Sequence, residues 1–185
     1  MRREIRIAGF GGQGIILTGV TLAQAAGIYE GYEITQSQSH GPEARGGAAR
    51  CDVIISTEPI FYPRVRKPQI QIVMSAPAFE RYGMGGDPGG LVLYNSSLIE
   101  PPSPEPHWVG IPASQIAETE LSNVVAANMV MLGALSAVDP IVGLESMHRA
   151  VGDVMPTAFR EINQRALKLG HERVVCTSES PRARG

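Results

Sequence analysis

Short runs of aliphatic, β-branched residues alternate with stretches of helical periodicity along most of the chain. Residues 5–8 (Ile-Arg-Ile-Ala) predict a first strand, and the run Gly9-Phe10-Gly11-Gly12-Gln13-Gly14 follows at once. Residues 15–30 then predict a helix: Ile16, Val20, Ala23 and Gly27 fall at helical spacing, while Leu22, Ala25 and Ala26 make the other side apolar as well. Such a helix is buried on more than one side, and Gly31 suits the left-handed residue that ends it. Further strands are predicted at 33–36, 48–56, 70–74 and 91–95, with a short sixth at 108–110. Further helices are predicted at 77–82, from Pro112 at a first helical position through 117, and at 124–135 behind an Asn123 cap. Asp139-Pro140 predicts a cap and first turn opening a helix to 150, and 159–169 gives the last one. Residues 177–185 carry no apolar periodicity and are expected to form a disordered tail.

Strands alternating with helices at this spacing imply βαβ units. The expected fold is α/β, three-layered, with a mainly parallel, Rossmann-like sheet covered by helices on both faces. The first strand is expected to be central and parallel to its neighbours. One domain over residues 1–176 accommodates all of these elements.

Composition narrows the function. The chain has 185 residues, with 16 Lys and Arg against 18 Asp and Glu. It therefore lacks the basic excess that displaces counterions from nucleic acid or binds anionic membranes. Hydrophobic residues at 43% with 18% charged exclude global disorder. The two cysteines, Cys51 and Cys176, form no CxxC pair, so no iron–sulfur cluster or structural zinc, and no other metal site, is expected on this chain alone. Cys51 reads as a small buried hydrophobe. The longest apolar run, 124–135, is too short to span a bilayer and contains Asn128. Glycines 9–14 interrupt what would otherwise resemble a secretory signal, so the expected compartment is the cytoplasm.

Gly9-x-Gly11-x-x-Gly14 follows a predicted strand and opens a predicted helix, the context in which glycines let a backbone approach a phosphate at a helix N-terminus. Binding of an anion or cofactor shared with a partner, and a purely structural turn, both fit. A dinucleotide fits less well, because the second strand ends Ile34-Thr35-Gln36-Ser37 without the acid that holds a ribose. The densest polar cluster is 37–47, holding His40, Glu43 and Arg45, and it leaves the same sheet edge as the glycine run. Arg45 can fork onto a phosphate or carboxylate, or pair with Glu43 to brace the loop. Neither a nucleophile elbow nor a His-Glu-x-x-His box occurs. Asn128, inside an apolar helix, needs a partner if buried, either a loop backbone or another chain. Gly133 and Ala134 give that helix a flat patch for close packing, within the chain or across an interface.

Gly9 to Gly14, Ser39-His40-Gly41-Pro42-Glu43-Ala44-Arg45-Gly46-Gly47 and Val53-Ile54-Ile55-Ser56, in this order, resemble the gamma subunit of 2-oxoacid:ferredoxin (acceptor) oxidoreductases. Gly89-Gly90-Leu91, Asn95-Ser96-Ser97, Asn128-Met129-Val130 and Leu132-Gly133-Ala134 extend the likeness over about residues 4 to 165. The stretch 41–47 is most similar to 2-oxoglutarate members. The resemblance implies a non-catalytic subunit of an enzyme that cleaves a 2-oxoacid oxidatively and passes the acyl group to coenzyme A. It implies alpha and beta partner subunits, with a delta subunit in some assemblies, and ferredoxin or another low-potential acceptor. Thiamine diphosphate, Mg and iron–sulfur clusters would sit on those partners and none on this chain. Gly11, Gly12, Gln13, Gly14 and Arg45 become candidate contacts for coenzyme A or a partner; Ser39, His40, Glu43, Gly46, Gly47 and Asn128 become candidate interface residues. Self-association of the isolated chain through the uncovered surface is a further expectation. The rival readings are a free-standing NAD(P)-dependent reductase and a homomeric small-ligand-binding protein.

Overall fold

A computed structural model describes residues 1–39, 48–103 and 105–179. Six strands form one sheet: β1 (Arg2–Phe10), β2 (Glu33–Ser39), β3 (Ala48–Ser56), β4 (Ile70–Val73), β5 (Leu91–Asn95) and β6 (Trp108–Ile111), in the order β2-β3-β1-β4-β5-β6. The helices are α1 (Ile15–Gln24), the short α2 (Ala76–Ala78), α3 (Ala113–Leu121), α4 (Ala127–Val138), α5 (Leu144–Val154) and α6 (Thr157–Glu179). π-turns extend α1 over Ala25–Tyr29 and α2 over Phe79–Gly83.

The α/β class and the six strands agree with the sequence expectation, and β1 is central. It is not parallel to both neighbours, however: β1 runs parallel to β4 but antiparallel to β3, which is itself antiparallel to β2. A parallel crossover needs a dozen or more residues, and only 40–47 separate β2 from β3. That connection is too short for anything but an antiparallel return.

Strand alternation sends successive side chains to opposite faces, and the two faces are covered unequally. Ile5, Ile7, Cys51, Val53, Ile55, Ile70, Ile72 and Leu93 face the larger core, closed by residues of α1, α3, α4, α5 and α6. Ala8, Val73 and Val92 face a smaller one, closed by Ala78, Phe79 and Ile99. The Phe79 ring meets the edges of Tyr94 and Trp108 there.

Three boundaries differ from expectation. Asp139 does not open a helix. Its backbone N–H bonds Leu135 O, closing α4, and α5 begins only after Gly143, whose N–H is held by Glu30 Oε1 at 3.0 Å. Pro112 precedes α3 by one residue, and that helix runs on to Leu121. α6 continues through Glu179, into the segment expected as a tail. As expected, Gly31 adopts a positive φ of 74° and Asn123 accepts a capping bond from Val125 N.

The small-residue patch of α4 is consumed within the chain. A Cβ on Gly133 would overlap Leu167 O, and one on Gly170 would overlap Val130 O, so α4 and α6 cross in backbone contact. Ser136 Oγ, which donates to Gly133 O within α4, adds a contact across the crossing by meeting His171 Nδ1 of α6 at 2.9 Å.

Candidate functional site at the carboxyl edge of the sheet

β1 ends at Phe10, and the glycine turn occupies the carboxyl edge between β1 and β4. Two positions of the turn need glycine for their backbone: Gly12 has φ 98° and Gly14, the residue before α1, has φ 69°. A Cβ on Gly14 would also strike the Asn128 amide. Gly11 and Gly12 are exposed, with open space where a Cβ would stand.

Gln13, expected as a candidate ligand contact, has its amide occupied inside the protein. Its Oε1 accepts from Phe10 N at 3.0 Å, and its Nε2 donates to Met74 O at 3.0 Å. Met74 N in turn donates to Ala8 O at 2.8 Å. Gln13 therefore ties the turn across the ends of β1 and β4. Asn128, 3% exposed, donates from Nδ2 to Gly14 O at 3.4 Å and accepts from Met129 N at 2.7 Å. Of the two partners the sequence allowed, the loop backbone is the one observed.

Ser39 is exposed at the carboxyl end of β2, on the same edge of the sheet as the glycine turn, with β3 between. The expected roles of His40, Glu43, Arg45, Gly46 and Gly47 lie outside the described residues; the chain leaves this edge at Ser39 and returns to it at Ala48. Because β3 is inserted, the end of β2 stands two strand spacings, roughly 10 Å, from β1. In a dinucleotide fold the ribose acid lies one strand away. Glu33 pairs with Ser56 at the opposite edge, far from the turn.

An apolar cleft lies beside the turn, and no pattern along the chain points to it. Gly14, Leu17, Val125, Asn128, Met155 and Phe159 line a cavity of about 400 Å³ where the N-terminal ends of α1, α4 and α6 converge. Leu17, Val125 and Phe159 remain exposed on its walls. Helix N-termini favour anionic groups, and the walls favour an apolar chain or side chain. These residues are scattered over the whole sequence, so no local motif links them; of the six, the sequence pattern points only to Gly14 and Asn128.

Cys51 is fully buried, as expected of a small hydrophobe, with Gly19 directly against it. Burial pushes its thiol upward and Asp52 adds to this, opposed by a 3.1 Å hydrogen bond from Gln36 Nε2. A protonated, enclosed thiol does not suit a cluster ligand. Among the described residues no three His, Cys, Asp or Glu side chains group to hold a metal. No described helix is long and apolar enough to cross a membrane.

Comparison with known proteins agrees with this architecture. The family model for pyruvate ferredoxin/flavodoxin oxidoreductase matches residues 4–173. The 2-oxoglutarate synthase subunit KorC of Methanocaldococcus jannaschii is 45% identical over 93% of this chain and 94% of its own length. The keto/oxoacid ferredoxin oxidoreductase gamma subunit of Geobacter sulfurreducens superposes with a TM-score of 0.84 at 35% identity, covering 95% of this chain and 98% of that one. A 2-oxoglutarate:ferredoxin oxidoreductase from Magnetococcus marinus, solved with 2-oxoglutarate, coenzyme A and succinyl-CoA bound, also gives 0.84 at 25% identity, matching 95% of this chain and 31% of its own. The strand order, the glycine turn and these near full-length matches together establish that the chain belongs to the pyruvate ferredoxin/flavodoxin oxidoreductase family.

Proposed function

We propose that this chain is the non-catalytic gamma subunit of a multi-subunit 2-oxoacid:ferredoxin oxidoreductase of the 2-oxoglutarate type, working in the cytoplasm. The observation that carries the reading is the near full-length likeness to KorC subunits, 38–45% identical to this chain. The site is consistent with it: Gln13 and Asn128 spend their amides on the backbone of the turn and of the residues packed against it, and among the described residues the edge offers a polar surface and an apolar cleft with no nucleophile and base arranged for chemistry. Alpha and beta subunits would carry thiamine diphosphate, Mg and the iron–sulfur clusters, which supply 2-oxoacid cleavage and electron transfer to ferredoxin. Among the described residues Cys51 is enclosed and no three His, Cys, Asp or Glu side chains group together, so those residues offer none of these groups a donor set.

This chain's part is to complete the assembly. The carboxyl edge, with Gly11, Gly12 and Gly14 and the helix ends behind them, would face the partners or coenzyme A. Co-expression with alpha and beta subunits tests this. The purified complex should contain the chain and reduce a viologen dye only when 2-oxoglutarate and coenzyme A are both present. Failure of the chain to co-purify with those subunits contradicts the reading.

A further inference from the structure

The loop joining β3 to β4, residues 57–69, lies at the amino edge of the sheet, opposite the glycine turn. It is fastened by side chains rather than by glycines. Arg2 Nη2 donates to Tyr62 O at 3.0 Å, and the same guanidinium grips Glu4 Oε1. Glu4 Oε2 accepts from Arg66 N at 3.2 Å, Arg66 Nε donates to Tyr62 Oη at 3.2 Å, and the Arg66 guanidinium stands 5.2 Å from the Tyr62 ring centre. Thr57 bonds the chain start, and Gln69 bonds Glu4. A loop braced at both ends and in the middle has little freedom to fold its side chains inward.

On this braced loop Phe61 is 92% exposed, beside a Tyr62 that is 46% exposed. Arg64, Arg66 and Lys67 follow it on the same loop, all exposed, and Glu58 is the loop's one acidic residue, also exposed. Arg64 and Lys67 make no ion pair among the described residues. The whole chain carries net −2, so this is a local positive surface on an acidic protein. A fixed, protruding aromatic with a cationic rim is the form of an interface anchor: the ring fills a pocket, and the rim sets orientation and on-rate.

We propose that the Phe61 loop is a docking surface for a partner subunit of the oxidoreductase, whose complementary face is an apolar hollow rimmed by carboxylates. This rests on the subunit reading above and adds the surface by which the subunit is held. A permanent subunit fits better than a transient acidic electron carrier, because lasting interfaces are the ones that cover large apolar side chains.

Phe61→Ser and the pair Arg64→Glu with Lys67→Glu test it, measured as the dissociation constant of the full chain for co-purified alpha and beta subunits at two salt concentrations. Phe61→Ser should weaken binding about 10-fold or more. The charge-reversed pair should weaken it and flatten its salt dependence. The melting temperature of each isolated variant should stay within about 2 °C of wild type, since these side chains make no core contact. A wild-type chain that fails to bind the subunits refutes the subunit reading itself. Wild-type binding that both variants retain unchanged refutes only the docking surface. Unchanged subunit binding with slower electron delivery to an acidic ferredoxin also overturns it, assigning the loop to the carrier instead.

Discussion

The two faces of the sheet are built from the same strands by different rules. On the face toward α1, α4, α5 and α6, every strand contributes aliphatic side chains, and two glycines let the covering helices touch backbone to backbone. On the other face the interleaved positions include Arg6, Asp52 and Gln71. Arg6 sits directly across from Asp52 in the β1–β3 ladder, with Nε–Oδ1 at 2.7 Å and Nη2–Oδ2 at 2.9 Å, and both side chains are less than 10% exposed. The Tyr82 ring covers them, with the Arg6, Arg50 and Arg81 guanidiniums 5.4–5.9 Å from its centre. The first face takes its stability from shape and dry packing; the second adds to a smaller apolar cluster a buried ion pair between Arg6 and Asp52. They should therefore respond differently to the same kind of damage.

The sharpest way to separate them is Arg6→Ala. It leaves the Asp52 charge buried with only Arg50, 3.7 Å away and partly exposed, as a partial substitute. The expected loss is about 3–5 kcal/mol, whereas replacing both Arg6 and Asp52 by hydrophobes of similar volume should cost far less. Denaturant unfolding of the singles and the double measures this. If the double variant is no better than Arg6→Ala, pairing is not what this face depends on.

On the packed face, Gly133→Ala inserts a methyl against the Leu167 carbonyl and forces α4 and α6 apart. About 3 kcal/mol is expected, seen as a melting point lower by about 6–12 °C. An unchanged melting point would mean that the helices separate freely. Gln13→Ala is the mildest of the three. It removes two hydrogen bonds that tie the glycine turn to β4 and should cost about 1–2 kcal/mol. Its larger consequence should be a looser turn, read as faster amide exchange at Phe10 than in wild type.

The contrast between the faces also explains what could be read in advance. The larger core was legible because it is periodic: β-branched runs bounded by glycine and proline located every strand, and helical spacing located α1 and α4. Gly31 and Asn123 announced their own caps. The Arg6–Asp52 pair was not legible, because nothing local links position 6 to position 52 before the register is known. The antiparallel β3 carries a usable signal in the shortness of 40–47, whereas the strand–helix alternation of the rest of the chain points to a parallel sheet. Asp139-Pro140 misled because the same pair that can open a helix also ends one, and Arg3 holds Asp139 at 3.7 Å in that role. At the site, the sequence pattern points to Gln13 and Asn128, and their partners in the structure are backbone atoms of the turn, of Met74 and of Met129. The cleft formed by Leu17, Val125, Met155 and Phe159 exists only once three helix ends converge.

On the proposed reading, this scaffold, whose buried polar residues serve the fold on one face and the glycine turn at one edge, is a subunit that shapes an enzyme whose chemistry its partners perform. The most direct test is 2-oxoglutarate- and coenzyme A-dependent viologen reduction by the alpha and beta subunits, assayed without this chain and again after it is added back. Little or no turnover is expected without the chain, with recovery on its addition and none from the chain alone. Full turnover in its absence, or any turnover by the chain alone, would contradict the proposed reading.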